Sequence, residues 1–264
     1  MPIKKYYIYS LVAAITIALC NFFILFSFQV TNPFIISICL FTLAFFAYTL
    51  DHYYDGLKKS ESNQFMQDRH QIPLKGFSFA SKGFALSAIV SCYLFSFLDM
   101  PMLFIGLSLA LLVAVYFWLV FKLNINARYK MLLSAFTLGL IMGAWIIFQP
   151  VFWLHKIGYL GIVILAVYAN LSFFAWIDFE YDKKWFNTQL VKPLTVYQQV
   201  GSQIIIAVII FFIGFLIGKG QSWFFIPLAY AIIGLFVQKK ALEKPVMRYV
   251  IDLLMLLPIL RIFW

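Results

Sequence analysis

Long apolar runs constrain this chain more than any other feature. Residues 7–30 and 101–121 each run without a charged side chain, and roughly 20 apolar residues are enough for a helix to cross the hydrocarbon core of a bilayer. Charged residues make up only 11% of the chain, against roughly 25% in a soluble domain. The runs are continuous, whereas the strands of a membrane β-barrel alternate. The sequence therefore predicts an all-α, polytopic membrane protein embedded in the lipid bilayer.

Nine segments are apolar and long enough to be candidate spans. Pro33, Pro101, Pro150 and Pro245 lie between segments or at their starts, where a helix tolerates proline. The longest polar stretch, 51–81, is too short to form a soluble domain. The first apolar run is longer than the apolar region of a signal peptide, so it is expected to be a span. We therefore expect one membrane domain, 1–264, with about nine transmembrane helices. The predicted spans are about 7–30, 34–50, 79–98, 101–121, 131–149, 154–177, 202–218, 222–238 and 246–263.

The basic residues divide unequally between the two sides that nine spans create. With the N-terminus in the cytoplasm, 17 of the 20 lysines and arginines fall on the cytoplasmic side, and only Lys156, Lys219 and Arg261 on the other. This is the asymmetry that the positive-inside rule describes. It predicts a cytoplasmic N-terminus, and it accounts for the net charge of +10 without a nucleic-acid partner. The Phe-, Ile- and Lys-rich composition favours a bacterial inner membrane.

Two pairs of aspartates end predicted spans on the cytoplasmic side. Asp51 and Asp55 follow the second span, and Asp178 and Asp182 follow the sixth. Residues four apart lie one turn apart on one face of a helix. Four carboxylates at one membrane depth repel each other unless cations lie between them, and Mg²⁺ is commonly held by one or two carboxylates together with substrate phosphates. The pattern predicts a Mg²⁺–diphosphate site. The plainer alternative is a set of interfacial acids beside lysines.

These motifs resemble those of the UbiA-type polyprenyl transferase superfamily. Its first motif, N-x-x-x-D-x-x-x-D, is matched by the aspartates of AYTLDHYYD, 47–55, although Ala47 replaces the asparagine. Its second, D-x-x-x-D, is matched by DFEYD, 178–182, without the frequent upstream asparagine and aspartate. The resemblance covers the whole chain in topology and implies a helical bundle with a polar cavity facing the cytoplasm. It assigns catalysis and Mg²⁺ binding to Asp51, Asp55, Asp178 and Asp182.

The same resemblance assigns further residues to the substrate. The loop after the first motif usually ends in R-P-L; here Ile72 replaces the arginine, and Arg69 lies nearby. The family's tyrosine and later lysine after the fourth span are matched by Tyr116 and Lys122. Arg69 and Lys122 are therefore predicted donors to phosphate oxygens, with Lys58 or Lys130 as substitutes. Tyr116 is predicted to face the carbocation-like centre, which an aromatic ring stabilises.

Three further polar residues are candidates for the site or for packing. Glu180, inside the second motif, is predicted to support substrate binding. Asn170 lies about two turns before Asp178 and is expected either to line the cavity and bind substrate or to make an interhelical hydrogen bond. Asp252 lies inside the ninth span, where an acid is a functional candidate by default. A structural pair with Arg248, one turn earlier, is the alternative for Asp252.

These features predict transfer of a polyprenyl group from a Mg²⁺-bound polyprenyl diphosphate to an aromatic, quinone-type or other lipophilic acceptor. The replaced motif residues leave open a catalytically silent, prenyl-lipid-binding relative. A small membrane transporter is a further alternative, but transporters typically carry mid-membrane polar residues and broken helices. CDP-alcohol phosphotransferases need D-G-x-x-A-R, whereas Asp55-Gly56 is followed by LKKS. The sequence does not specify the acceptor, the prenyl length or the oligomeric state.

Overall fold

Helices make up almost all of the chain that the structure, a computed structural model, describes. It describes residues 5–27, 29–30, 32–61, 74–98, 100–122, 127–143, 146–147, 152–183, 194–218, 221–237, 239–242 and 245–263. Within these ranges no strand occurs, which confirms the all-α class. The α-helices are α1 (Lys5–Ser27), α2 (Pro33–Glu61), α3 (Leu74–Leu98), α4 (Met100–Lys122), α5 (Ala127–Gly143), α6 (Trp153–Lys183), α7 (Val196–Ile217), α8 (Phe225–Phe236), α9 (Lys239–Leu242) and α10 (Pro245–Leu253).

Six helices in the described ranges are long and apolar enough to cross a membrane. Their apolar spans are Tyr7–Phe26, Pro33–Tyr54, Lys75–Leu94, Leu103–Val120, Trp153–Ile177 and Val196–Ile217. Tyr129–Gly143 and Ser222–Phe236 are apolar but shorter. The last predicted span consists of α10 and a 3₁₀ segment, Leu254–Phe263, that contains Pro258. These helices agree with an integral membrane protein, and the count of nine spans stays a prediction.

The helices that carry the aspartate pairs continue past their predicted spans. The second span was expected to end at residue 50, but α2 runs to Glu61, because a helix does not need apolar residues to continue past the membrane and no proline interrupts 51–61. Its 29 residues measure about 43 Å, whereas a hydrocarbon core is about 30 Å thick. α6 likewise runs to Lys183. Both aspartate pairs therefore lie on helical backbone, as the i, i+4 argument requires.

Local hydrogen bonds fix helix ends near two of the turns. After α1, the N–H of Val30 donates to Leu25 O at 2.9 Å and the N–H of Gln29 to Phe26 O at 3.0 Å, with Gln29 at φ 53°. This is the Schellman pattern, in which a left-handed residue closes a helix. At the start of α7, Thr195 and Gln198 form a reciprocal capping box, which satisfies N–H groups that the helix leaves without partners.

Consecutive helices from α1 to α8 pack side by side and alternate in direction. Gly139 of α5 packs against Ile164 of α6, and Gly143, one turn later, packs against Leu160, one turn earlier. These two helices are therefore antiparallel. We call the end of the bundle at which α2, α4 and α6 finish, and α3, α5 and α7 begin, the aspartate end.

The core is centred on α6. Half of the α6 span is buried inside the protein, against 11% of the spans in α3 and α4. The side chains of Ile162, Val163 and Ala166 are fully buried. α3 and α4 instead expose large apolar side chains such as Ile89 and Leu111, as expected for helices that face lipid tails.

Candidate functional site

An ion pair joins two helices at the aspartate end. Lys130 Nζ lies 3.3 Å from Asp51 Oδ1, and the two side chains are 24% and 21% exposed. Asp51 belongs to α2 and Lys130 to the first turns of α5. The negative charge of the first motif aspartate is therefore offset by a cation from another segment of the chain.

A chain of hydrogen bonds ties α4 to the turn that carries Lys130. Ser134 Oγ donates to Lys130 O at 2.8 Å, and Tyr116 Oη lies 3.0 Å from Ser134 Oγ. A serine hydroxyl has one hydrogen, so Tyr116 donates and Ser134 accepts. Tyr116 thus lies beside the Lys130 turn, as part of the structure that positions it. The predicted contact of Tyr116 with substrate stays a prediction, and sequence reasoning missed Ser134.

The other predicted site residues are placed by their backbone or lie outside the description. Asp55 lies on α2, Lys122 is the last residue of α4, and Asp178 and Asp182 lie near the end of α6, with Glu180 between them. The side chains of these five residues lie outside what the structure describes, as does all of Arg69. Whether the four aspartates share metal ions therefore stays a prediction.

The α5–α6 register places the second motif beyond the level of Lys130. If the contacts at Gly139 and Gly143 are continued along straight helices, Lys130 lies level with Phe173 of α6. With a rise of 1.5 Å per residue, Asp178 then lies about 7.5 Å beyond that level. On α2, Asp55 lies about 6 Å beyond Asp51. That the two motifs lie at one membrane depth stays a prediction.

A cavity of about 40 Å³ lies between the two helices that carry the motifs, with room for roughly three water molecules. Its polar lining comes from Thr16, Tyr48, Asn170 and Asp252. Tyr48 is one turn before Asp51, and Asn170 is two turns before Asp178, so the cavity lies deeper in the bundle than the motifs. The apolar lining consists of Ala13, Ile17, Cys20, Leu138, Met142, Val167, Leu171 and Met255. An opening to the cytoplasm stays a prediction.

Asn170 makes the interhelical hydrogen bond that was one of the two roles expected of it. Its Nδ2 donates to Tyr230 Oη at 2.7 Å, and the residue also lines the small cavity. Tyr230 in turn donates to Ile251 O at 3.2 Å and stacks on Phe173 with ring centroids 5.0 Å apart. The network joins α6, α8 and α10 around the deepest part of the core. A contact between Asn170 and substrate stays a prediction.

Tyr48 joins the cavity to the helix that carries the first motif. It is a side chain that sequence reasoning missed, although its i, i+3 spacing from Asp51 places both on one helix face. It lines the cavity together with Asp252. Arg248 is buried and lies one turn before Asp252 on α10, on the same face.

Among the side chains that the structure describes, no group of three or more histidines, cysteines or acids could hold a metal ion. That set includes Asp51 but not the other three motif aspartates. No protein-family model, no curated protein and no solved structure matches the chain. The resemblance to the UbiA-type superfamily therefore rests on the motifs and the predicted topology, and the activity is a proposal.

Proposed function

We propose that the protein is a membrane prenyltransferase that resembles the UbiA type. It would move a polyprenyl group from a Mg²⁺-bound polyprenyl diphosphate to an aromatic, quinone-type or other lipophilic acceptor. The observation that carries the proposal is the placement of two i, i+4 aspartate pairs near the ends of α2 and α6, at the same end of the bundle. The carboxylates suit a Mg²⁺-bound diphosphate head, and the prenyl tail would lie between the helices, open to lipid.

The four aspartates would hold the metal. Bound there, Mg²⁺ would neutralise the diphosphate and make it a better leaving group. The ion pair supports the fit, because Asp51 already accommodates the cationic group of Lys130 at 3.3 Å.

Lys130 would bind the diphosphate head. Its ammonium group has three donors, so it would exchange Asp51 for phosphate oxygens when a diphosphate arrives. The Tyr116–Ser134 contact supports the turn from which Lys130 reaches, while Arg69 and Lys122 would add positive charge. The allylic C–O bond would break, the acceptor would form the new bond, and its proton would leave.

The membrane arrangement belongs to the same proposal. Nine spans would place the aspartate end and the N-terminus in the cytoplasm, because 17 of the 20 basic residues then fall on that side. A bacterial inner membrane fits the composition.

The test is Mg²⁺-dependent diphosphate release by the purified protein from a series of polyprenyl diphosphates, with and without quinone-type acceptors. Asp55→Asn and Asp182→Asn are the site variants, since each removes a charge with little change of shape. Glu61→Gln, on the same helix as Asp55 but outside the motif, is the matched control. We expect release that requires Mg²⁺, is lost in both aspartate variants and persists in the control.

The remaining outcomes separate the alternatives. Binding of polyprenyl diphosphate without release would replace the proposal with a catalytically silent relative. Absence of both binding and release would overturn the paired-motif argument and favour a transporter.

A further inference from the structure

Thr16 presents an unused hydrogen-bonding group at the cavity. The residue is only 5% exposed, and among the described residues no partner lies within hydrogen-bond distance of its Oγ1. Buried side-chain hydroxyls are normally paired, often with the carbonyl one turn earlier when they lie in a helix. Thr16 also lines the cavity. Its hydroxyl is therefore available to something that enters the cavity.

The rest of the polar lining offers both donors and acceptors of hydrogen bonds. Asn170 has one donor committed to Tyr230, but an amide carries two N–H groups and an acceptor oxygen. The charge of Asp252 lies one helical turn from that of Arg248, a spacing at which opposite charges favour each other. Such a lining suits an uncharged group that both donates and accepts hydrogen bonds better than it suits an ion.

The size of the cavity limits the group further. Its volume of about 40 Å³ is well below the roughly 150 Å³ of a cavity that admits benzene. An aromatic or quinone ring does not fit, whereas a hydroxyl with its first carbons does. The apolar side chains of Ile17, Val167 and Leu171 supply a surface for those carbons.

We propose that this cavity binds the hydroxyl end of an aliphatic lipid alcohol, with Thr16, Tyr48, Asn170 and Asp252 as hydrogen-bonding partners. The site goes beyond the proposed transfer reaction, because binding needs neither Mg²⁺ nor a diphosphate. It is deeper in the bundle than the aspartate motifs and has its own polar groups.

The test is protection against unfolding, because a ligand that binds the folded state raises the unfolding midpoint. The full-length chain is reconstituted in nanodiscs and unfolded by heat with equal amounts of 1-octanol, octane, octanoate or octylamine. At a pH of about 8 the last two are charged. We expect 1-octanol to raise the midpoint and the other three to leave it unchanged.

Thr16→Val removes the hydroxyl while keeping the shape, and Thr16→Ser restores it. Losing one hydrogen bond is expected to weaken protection by 1-octanol roughly three- to tenfold in the valine variant, and the serine variant is expected to retain it. Equal protection by octane, or protection by either charged probe, would overturn the proposal. So would an unfolding midpoint that 1-octanol does not raise, or a valine variant that behaves like the parent.

Discussion

Lys130 supplies Asp51 with a counter-ion from within the chain. If Asp51 is a metal ligand, the Lys130 ammonium group competes with the metal ion for the Asp51 carboxylate. The same positive charge strengthens binding of the diphosphate. Lys130→Met is therefore expected to tighten Mn²⁺ binding and to weaken diphosphate binding. Repulsion between a divalent and a monovalent cation about 6 Å apart in a water-like dielectric is worth about 1.4 kcal/mol, so each change is about tenfold. Lys130→Arg keeps the charge and is the control.

The measurement for Lys130 is equilibrium binding, with Mn²⁺ followed by electron paramagnetic resonance and inorganic diphosphate by calorimetry. Changes of the same sign for both ligands would contradict the assigned role. The ion pair itself is partly exposed, so its loss is expected to cost no more than about 1 kcal/mol of stability.

Tyr116 is tested through its hydroxyl. Tyr116→Phe keeps the ring and removes the hydrogen bond to Ser134, which is expected to cost about 1 kcal/mol of unfolding free energy. Ser134→Ala removes the same bond from the other side. Because the two residues are in contact, the double variant is expected to lose less than the sum of the single losses. Additive losses, measured by unfolding in detergent, would show that the bond contributes nothing.

For individual residues, the sequence allowed prediction of some members of the site but not of others. The spacing of Asp51 from Asp55 is visible in a single segment, because a helix places residues four apart on one face. Ser134 and Thr16 carry no comparable signal. Their roles depend on partners, or on the lack of them, that only the packing of distant segments creates.

Close packing between α5 and α6 depends on a glycine. A Cβ at Gly139 would lie 2.5 Å from Ile164 Cγ1 and 2.8 Å from its Cα, and the backbone atom cannot move alone. Gly139→Ala is therefore expected to force the helices apart and cost roughly 1–3 kcal/mol. Gly161→Ala, on α6, is the control: a Cβ there meets nothing within 4 Å, so alanine is expected to be neutral or to stabilise by up to about 1 kcal/mol. Equal unfolding midpoints for both variants would exclude the tight contact.

The helices themselves were predictable from apolar run length, but their ends were less so. Hydropathy marks where the chain passes from lipid to water, but the helix does not have to end at that boundary. α2 keeps its backbone hydrogen bonds past Asp51 to Glu61, although the predicted span ended at residue 50. The C-terminal segment shows the opposite error, because it was expected to be one span, 246–263, yet becomes a 3₁₀ segment around Pro258.

Alternation of the helices is what brings distant motifs to one end of the molecule. α2 and α6 are both even-numbered in an up-and-down bundle, so both finish at the aspartate end. The cavity lies between them because α1, α5 and the C-terminal segment complete its wall. A single additional or missing crossing between α2 and α6 would place the two motifs on opposite sides of the membrane.

The placement of both motifs at one end of the bundle depends on α5 crossing the membrane. Its 17 residues measure about 25 Å, slightly less than a hydrocarbon core. Its contacts nevertheless reach both ends of the bundle: Lys130 pairs with Asp51 at the aspartate end, and Met142 O accepts a hydrogen bond from Asn21 of α1 at 3.1 Å near the other. We therefore expect α5 to span the membrane.

Single cysteines in a chain with Cys20, Cys39 and Cys92 replaced by alanine test both the crossing and the orientation. Lys75→Cys lies at the start of α3 and Phe152→Cys just before α6, and both positions are exposed. An impermeant maleimide is expected to label Phe152→Cys in intact cells and Lys75→Cys only in inverted vesicles, while both label in detergent. Labelling of both from one side would mean that one of α3, α4 and α5 does not cross. Because α3 and α4 are long enough to span a membrane, the shorter α5 would be the one, and the aspartate pairs could not face each other. The reverse pattern would keep the bundle but turn its aspartate end away from the cytoplasm.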